Sequence, residues 1–216
     1  MTHTSDSQIS QGDAAYQRLM AALAEGTYRP GDRLREEEVA RSLTLSRTPV
    51  REALRRMEAD GIVEHRPRIG AVIRQLSQTE VVELYEMRLV LERTAAEMAA
   101  KHGTVPEFDA MEDLNAEIAK ERHNLARAAA INQALHRNMY LAGRNRFLLE
   151  SARASNNALM LLGPTTFTDE ARIDVVCSQH KLLIDALRKG DAAAAGAAAE
   201  THLMTSLRHR LKEMQP

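Results

Sequence analysis

The chain has a single cysteine, Cys177, among 216 residues, so no disulfide can form within it and a reducing cytoplasm is the expected location. It has no apolar run long enough to cross a membrane, and no membrane partner is expected. Met1 to Gly12 is polar, rich in Ser, Thr and Gln, and lacks the apolar core of a signal peptide; it is expected to be disordered. An excess of either charge is also missing. Lys and Arg number 29 against 30 Asp and Glu, a formal net charge of −1, which argues against an indiscriminate nucleic-acid binder. No internal repeat, no phosphate-cradling glycine-rich loop and no nucleophile motif occur, so an enzyme is not expected.

What is present is concentrated between residues 34 and 74. Leu43-Thr44-Leu45-Ser46-Arg47-Thr48-Pro49-Val50-Arg51-Glu52-Ala53-Leu54-Arg55-Arg56 reads as a turn followed by a helix. Val50, Ala53, Leu54 and Met57 fall at i, i+3, i+4 and i+7 and make an apolar stripe, while Arg47, Arg51 and Arg55 share a separate outward face. Ser46 or Thr48 can cap the start, and Pro49 suits the first turn. Upstream, Leu34 to Leu43 has helical periodicity through Leu34, Val39 and Leu43, so two short helices flank a tight turn as in a helix-turn-helix. An earlier helix over Ala14 to Glu25 ends at Gly26, and Pro30-Gly31 turns the chain into the next.

After Gly61 the period changes. Ile62 to His65 and Ile69 to Ile73 are short β-like runs joined across Arg66-Pro67-Arg68, a hairpin with a basic tip. In a winged helix such a tip lies against the sugar-phosphate backbone or the minor groove, where arginine meets negative potential. From Thr27 to Arg74 there are eleven Lys plus Arg against eight Asp plus Glu, a local +3 in an otherwise mildly acidic chain.

Over about residues 10 to 75 this order resembles the DNA-binding domain of GntR-family transcription regulators, and Ser46-Arg47-Thr48-Pro49-Val50-Arg51-Glu52-Ala53-Leu54 matches that family's recognition-helix signature without a gap. The resemblance implies that Arg47 and Arg51 contact base edges or nearby phosphates, Thr48 contacts phosphate, Arg66 and Arg68 serve the wing, and Gly70 lets its backbone approach DNA. Two positions depart from the pattern. Thr44 stands where many members have glycine in the turn, which is strained if the position needs a positive φ. Glu36-Glu37-Glu38 stands where many carry a basic residue, leaving Arg35 as the nearby substitute for backbone contact.

Residues 77 to 216 read as six helices without a strand candidate: Glu80 to Lys101, Phe108 to Glu121, Ala126 to Ala142, Arg146 to Leu162, Asp169 to Arg188 and Asp191 to Lys212. The expected architecture is therefore mainly α. A disordered segment (1–12) precedes an N-terminal winged helix-turn-helix (13–76) and an all-α six-helix bundle (77–216). The small side chains of Ala192 to Ala199 suit close helix contact. His136, His180 and His202 each belong to a different helix, so a bundle can bring all three to one interior point. Asn132 shares the helix face of His136, four residues on. Arg88 reads either as a ligand anchor or as a buried salt bridge to Glu92. Cys177, at i and i+3 from His180, carries little weight as a thiol ligand.

This half resembles the FCD domain, the all-α effector-binding domain of the FadR-type branch of the GntR family. The matching pieces are Glu86-Met87-Arg88-Leu89-Val90-Leu91-Glu92, Asn132 with His136, His180 before Ala186-Leu187-Arg188-Lys189-Gly190-Asp191, and His202; the six-helix count looks like the VanR-type subgroup. The resemblance implies that His136, His180 and His202 hold a divalent transition metal such as zinc, nickel or manganese. Asn132 takes the position of an aspartate ligand, and Arg88 pairs with an effector carboxylate. An amide oxygen is neutral, so affinity should suffer and an anionic ligand should supply the missing charge. The expected function is a homodimeric repressor on palindromic double-stranded DNA, controlled by a small organic acid. A metal-dependent enzyme and a ligand-independent DNA-binding protein are the competing classes.

Overall fold

The computed structural model describes residues 10–162, 167 and 169–214. The chain divides into two compact units, one of residues 1–75 and 157–163, the other of 76–156 and 164–216. Of the segment expected to be disordered, residues 1–9 lie outside the described residues. Ser10 to Gly12 instead start a helix.

In the first unit, α1 (Gln11–Ala24) begins where the Ser10 hydroxyl accepts from the Asp13 N–H at 3.0 Å. α2 (Glu36–Leu43) opens on three glutamates, the sign of charge a helix N-terminus favours. α3 (Arg47–Ala59) follows the turn at Thr44, with Ser46 at the N-cap position but making no side-chain cap bond. The apolar stripe behaves as its spacing requires: Val50, Ala53, Leu54 and Met57 are all buried. Leu19, Leu23, Val39, Leu43 and Ile62 are buried too, with α1 and α2 packed on α3, and full burial of each large side chain stabilises by roughly 1.5–3 kcal/mol.

The wing is β1 (Val63–Arg66) paired antiparallel with β2 (Gly70–Ile73), from Val63 opposite Ile73 to Arg66 opposite Gly70. Arg33 forms an isolated bridge to Val72, and the Leu34 N–H donates to the Ala71 carbonyl, so the segment before α2 lies along the wing.

In the second unit, α4 (Gln78–His102) starts at a reciprocal capping box of Ser77 and Glu80, and α5 (Val105–Lys120) at another of Thr104 and Glu107. α6 (Leu125–Ala142), α7 (Arg146–Leu159), α8 (Glu170–Arg188) and α9 (Ala192–Glu213) complete the run. The fourth helix of the bundle ends at Leu159, its expected last turn being a tight 3-10 turn over Met160–Leu162; the expected break at Gly163-Pro164 lies outside the described residues.

α4 packs against α9, α6 and α8, while α5 packs against α6 and α8. The alanine tract serves close approach. Ala195 and Ala199 are buried, and a Cβ on Gly196 would come within 2.7 Å of Glu97 Oε1 on α4. This arrangement gives five helices an inner face on one interior region.

Candidate nucleic-acid interface and buried histidine cluster

The first site is the outward face of α3. Arg35, Glu36, Arg47, Arg51, Arg55, His65 and Gly70 line one concave surface with the wing. Arg47, Thr48, Arg51, Arg66 and Arg68 are exposed. Gly70 has φ +97, a conformation L side chains avoid, and Arg68 at the wing tip has φ 65.

The acidic start of α2 has a role here that its sequence did not disclose. Glu36 receives both Arg51 Nε and Nη2, at 3.0 and 2.9 Å, and Arg47 reaches Glu36 at 3.4 Å and Glu37 at 3.1 Å. The hydrogen bond from Arg51 lowers the pKa of Glu36, and the Arg51 guanidinium is raised in return. Arg66 pairs with Glu64 and Arg35 with Glu38, both at 2.7 Å.

Thr44 adopts φ 54 and ψ 45, the left-handed region, so the turn does require the conformation that glycine tolerates best.

The second site lies inside the helical unit. His136 on α6, His180 on α8 and His202 on α9 are all buried, and one imidazole nitrogen from each lies within 4.8 Å of the others. Their ring centroids are 4.7 to 5.4 Å apart.

Hydrogen bonds around the cluster fix the tautomers. Asn115 Nδ2 donates to the Cys177 carbonyl at 3.0 Å, which turns Oδ1 toward His180 Nδ1 at 3.0 Å; an amide oxygen only accepts, so Nδ1 carries the hydrogen. The Thr205 hydroxyl donates to the Thr201 carbonyl and therefore accepts from Gln179 Nε2, which presents Gln179 Oε1 to His202 Nδ1 at 3.1 Å. His136 Nδ1 sits 2.7 Å from Glu92 Oε2, close but out of line for a directional hydrogen bond.

All three rings thus turn Nδ1 toward an oxygen and leave Nε2 for a common ligand, the arrangement by which outer partners orient metal-binding imidazoles. His180 Nε2 and Asn132 Oδ1 are buried without a hydrogen-bond partner. Burial lowers the pKa of His180 well below its ordinary value and that of His202 to about 3, so both present neutral nitrogen lone pairs at neutral pH. Three converging imidazoles fit a divalent transition metal.

Two buried arginines flank the cluster. Arg88 is bound to Glu92, stacks over the Tyr85 ring at 4.9 Å, and keeps a buried Nε without partner. Burial raises the pKa of Glu92, but the nearby His136 and Arg88 outweigh it and hold the carboxyl far below the ordinary range. Arg172 donates from Nη2 to the Ser206 hydroxyl at 3.0 Å, and its Nε also lacks a partner.

Sequence reading did not find Asn115, Gln179, Arg172 or Ser206. Gln179 adjoins His180 and Ser206 follows His202 by one turn, which is the only local signal; Asn115 is brought in by packing of α5 against α8.

Comparison with known proteins finds matches for both parts of the chain. Residues 11–73 match "Bacterial regulatory proteins, gntR family", and residues 83–205 match the FCD domain. The "Probable D-xylose utilization operon transcriptional repressor" of Paenarthrobacter nicotinovorans is 31% identical over 191 residues, 88% of this chain and 84% of that protein. The HTH-type regulator YdhC of Bacillus subtilis is 27% identical, covering 93% of this chain and 89% of its own. Among solved structures, E. coli McbR/YncC superposes with a TM-score of 0.84 at 18% identity, covering 96% of this chain and 100% of that one. A GntR regulator from Rhodococcus sp. RHA1 gives 0.81 at 23%, over 95% and 99%. The matches to the winged helix and to the helical unit together show that this chain belongs to the GntR family of transcription regulators, in the branch carrying an FCD domain, and that it is a DNA-binding regulator and not an enzyme.

Proposed function

We propose that the protein is a repressor whose operator affinity is controlled by a small organic acid bound at a divalent metal in the helical unit. The observation that carries this reading is the convergence of three buried imidazoles whose Nδ1 atoms all face oxygen atoms. An electron-rich interior of that kind is stabilised by a Lewis acid. His136, His180, His202 and Asn132 would hold the metal, and when bound it supplies positive charge that attracts a carboxylate. No protein ligand in the set is anionic, so ligand charge and metal charge complement one another. The unpartnered Nε of Arg88 is available for the same carboxylate.

On the DNA side, Arg47 and Arg51 read base edges, Thr48 and Arg35 contact phosphate, and Arg66, Arg68 and the Gly70 backbone serve the wing. One such module reads few base pairs, at roughly 1–3 kcal/mol of discrimination per bidentate contact. A homodimer on a palindromic operator doubles that readout. Met87 and Val90, exposed apolar residues on α4, are candidates for the dimer contact. The "Probable D-xylose utilization operon transcriptional repressor" is the relative whose name suggests the sign of control.

Elemental analysis of tag-free protein, beside His136→Ala and His180→Ala, tests the metal. About one metal per chain, lost in both variants, is expected. A protein that stays metal-free after incubation with zinc, nickel and manganese overturns the metal assignment. Operator affinity measured with and without organic acids tests control; affinity insensitive to every acid identifies a ligand-independent binder instead. No described helix is long and apolar enough to cross a membrane.

A further inference from the structure

Among the described residues of the helical unit, Arg172 is a buried cation with no carboxylate in ion-pair contact. Glu92 answers Arg88 at close range, with His136 on its other oxygen. Arg172 is 6% exposed, and its side chain makes one hydrogen bond among the described residues, to the neutral Ser206 hydroxyl. Nε has no partner. Burying a guanidinium this way is costly unless an anion completes it.

The position of this arginine ties it to the histidine cluster. Ser206 follows His202 by four residues on α9, so the two share a helix face and stand about 6 Å apart along its axis. Arg172 and the cluster feel one another: its charge adds to the depression of His180 and His202, and Tyr85, stacked beneath Arg88, acts on both arginines. Asp169, an exposed residue, acts on Arg172 through space and does not replace a bound anion.

We propose that Arg172 and Ser206 form a second anion subsite, one helical turn from the histidines, and that the effector is a dicarboxylate whose near carboxylate meets the histidine cluster and whose far carboxylate takes the Arg172 fork. This rests on the effector reading above and narrows it from organic acids to those with two carboxylates. The planar guanidinium offers Nε and an Nη to one carboxylate in a bidentate pair, with the Ser206 hydroxyl as a further donor.

The test is calorimetric titration of the full chain, with and without added zinc, using succinate, glutarate and adipate against butyrate, valerate and hexanoate at matched ionic strength. At least one dicarboxylate should bind tenfold or more tightly than the monocarboxylate of its length. Arg172→Gln should reduce that ratio to below threefold while leaving monocarboxylate affinity within twofold, which also shows the variant folded. Arg172→Lys and Ser206→Ala should give smaller losses in the same direction and serve if Arg172→Gln does not fold.

A wild-type ratio near one, no binding of any acid, a full ratio retained without Arg172, or equal loss of both acid series in a folded variant each overturns the subsite. The two readings fail separately. Zinc at one per chain with a ratio indifferent to Arg172 removes only the subsite, whereas an Arg172-dependent ratio in protein that takes no metal removes only the metal.

Discussion

Glu36 holds Arg51 by two parallel hydrogen bonds, Nε to Oε1 at 3.0 Å and Nη2 to Oε2 at 2.9 Å, so the base-reading candidate of α3 is fixed by an acid on α2 before DNA arrives. The pair is exposed, and its net worth to stability is small. Its consequence is for recognition. The carboxylate sets the plane of the guanidinium and, on the proposed DNA-binding face, places a negative charge where phosphates would approach.

Glu36→Gln should therefore raise affinity for non-operator DNA by about three- to tenfold at low salt, because one repelling charge is removed and counterion-linked binding gains. Operator affinity should rise less, so the specificity ratio falls. Fluorescence anisotropy with operator and scrambled duplexes at two salt concentrations measures both. An unchanged ratio means that Glu36 does not orient the reader.

Thr44 gives a second prediction, on stability. A β-branched residue at φ 54 sits where glycine is at ease, at a cost on the order of 1–2 kcal/mol. Glycine also loses more backbone entropy on folding, which offsets part of the gain. Thr44→Gly should stabilise the protein by about 0.5–1 kcal/mol, read from the urea midpoint at unchanged slope. Destabilisation would show that the Thr44 side chain contributes more than its strain costs.

The recognition helix and its arginine face were legible because they depend on local spacing: a turn, a proline in the first turn, and apolar residues at i, i+3, i+4 and i+7 lie within one stretch of chain. The six-helix pattern was legible for the same reason. Convergence of His136, His180 and His202 could be anticipated from their distribution over three helices, but their tautomers could not. Those depend on Asn115 and Gln179, whose amides are oriented by a carbonyl and a hydroxyl elsewhere in the bundle. The isolation of Arg172 is likewise a property of packing, since nothing in its neighbourhood along the chain says that Asp169 would face outward. The glutamates at the start of α2 looked unfavourable for DNA because sequence shows their charge and not their partners.

The histidines give a pH dependence in metal-stripped protein. Burial keeps His180 and His202 neutral in the folded state, His202 down to about pH 3, whereas in the unfolded chain they protonate near pH 6.5. The unfolded state then binds more protons below about pH 6.5, so their contribution to stability is complete above that pH and falls as pH drops. The slope is at most about 1.4 kcal/mol per pH unit for each histidine. Glu92, held low, adds its own loss only below about pH 4.5, where the unfolded carboxyl protonates. Urea midpoints should decline between pH 7 and 5, with a shallower decline in His202→Gln. A flat profile over that range would contradict neutral burial of the cluster.

The two buried arginines should respond oppositely to loss of charge. Glu92→Ala leaves Arg88 without its carboxylate in a dry interior and removes the oxygen beside His136, a change of the kind that costs about 3–5 kcal/mol. Arg172→Met removes a buried cation whose side chain has only a hydroxyl as hydrogen-bond partner among the described residues, and fills its volume with an apolar chain. In ligand-free protein it should leave stability unchanged or raise it by about 1–2 kcal/mol. Denaturant unfolding of both variants, without metal or added acid, measures the contrast. Should Arg172→Met lose more than about 2 kcal/mol, more than the net worth of its single hydrogen bond, Arg172 is satisfied in the free protein and has no need of a bound anion.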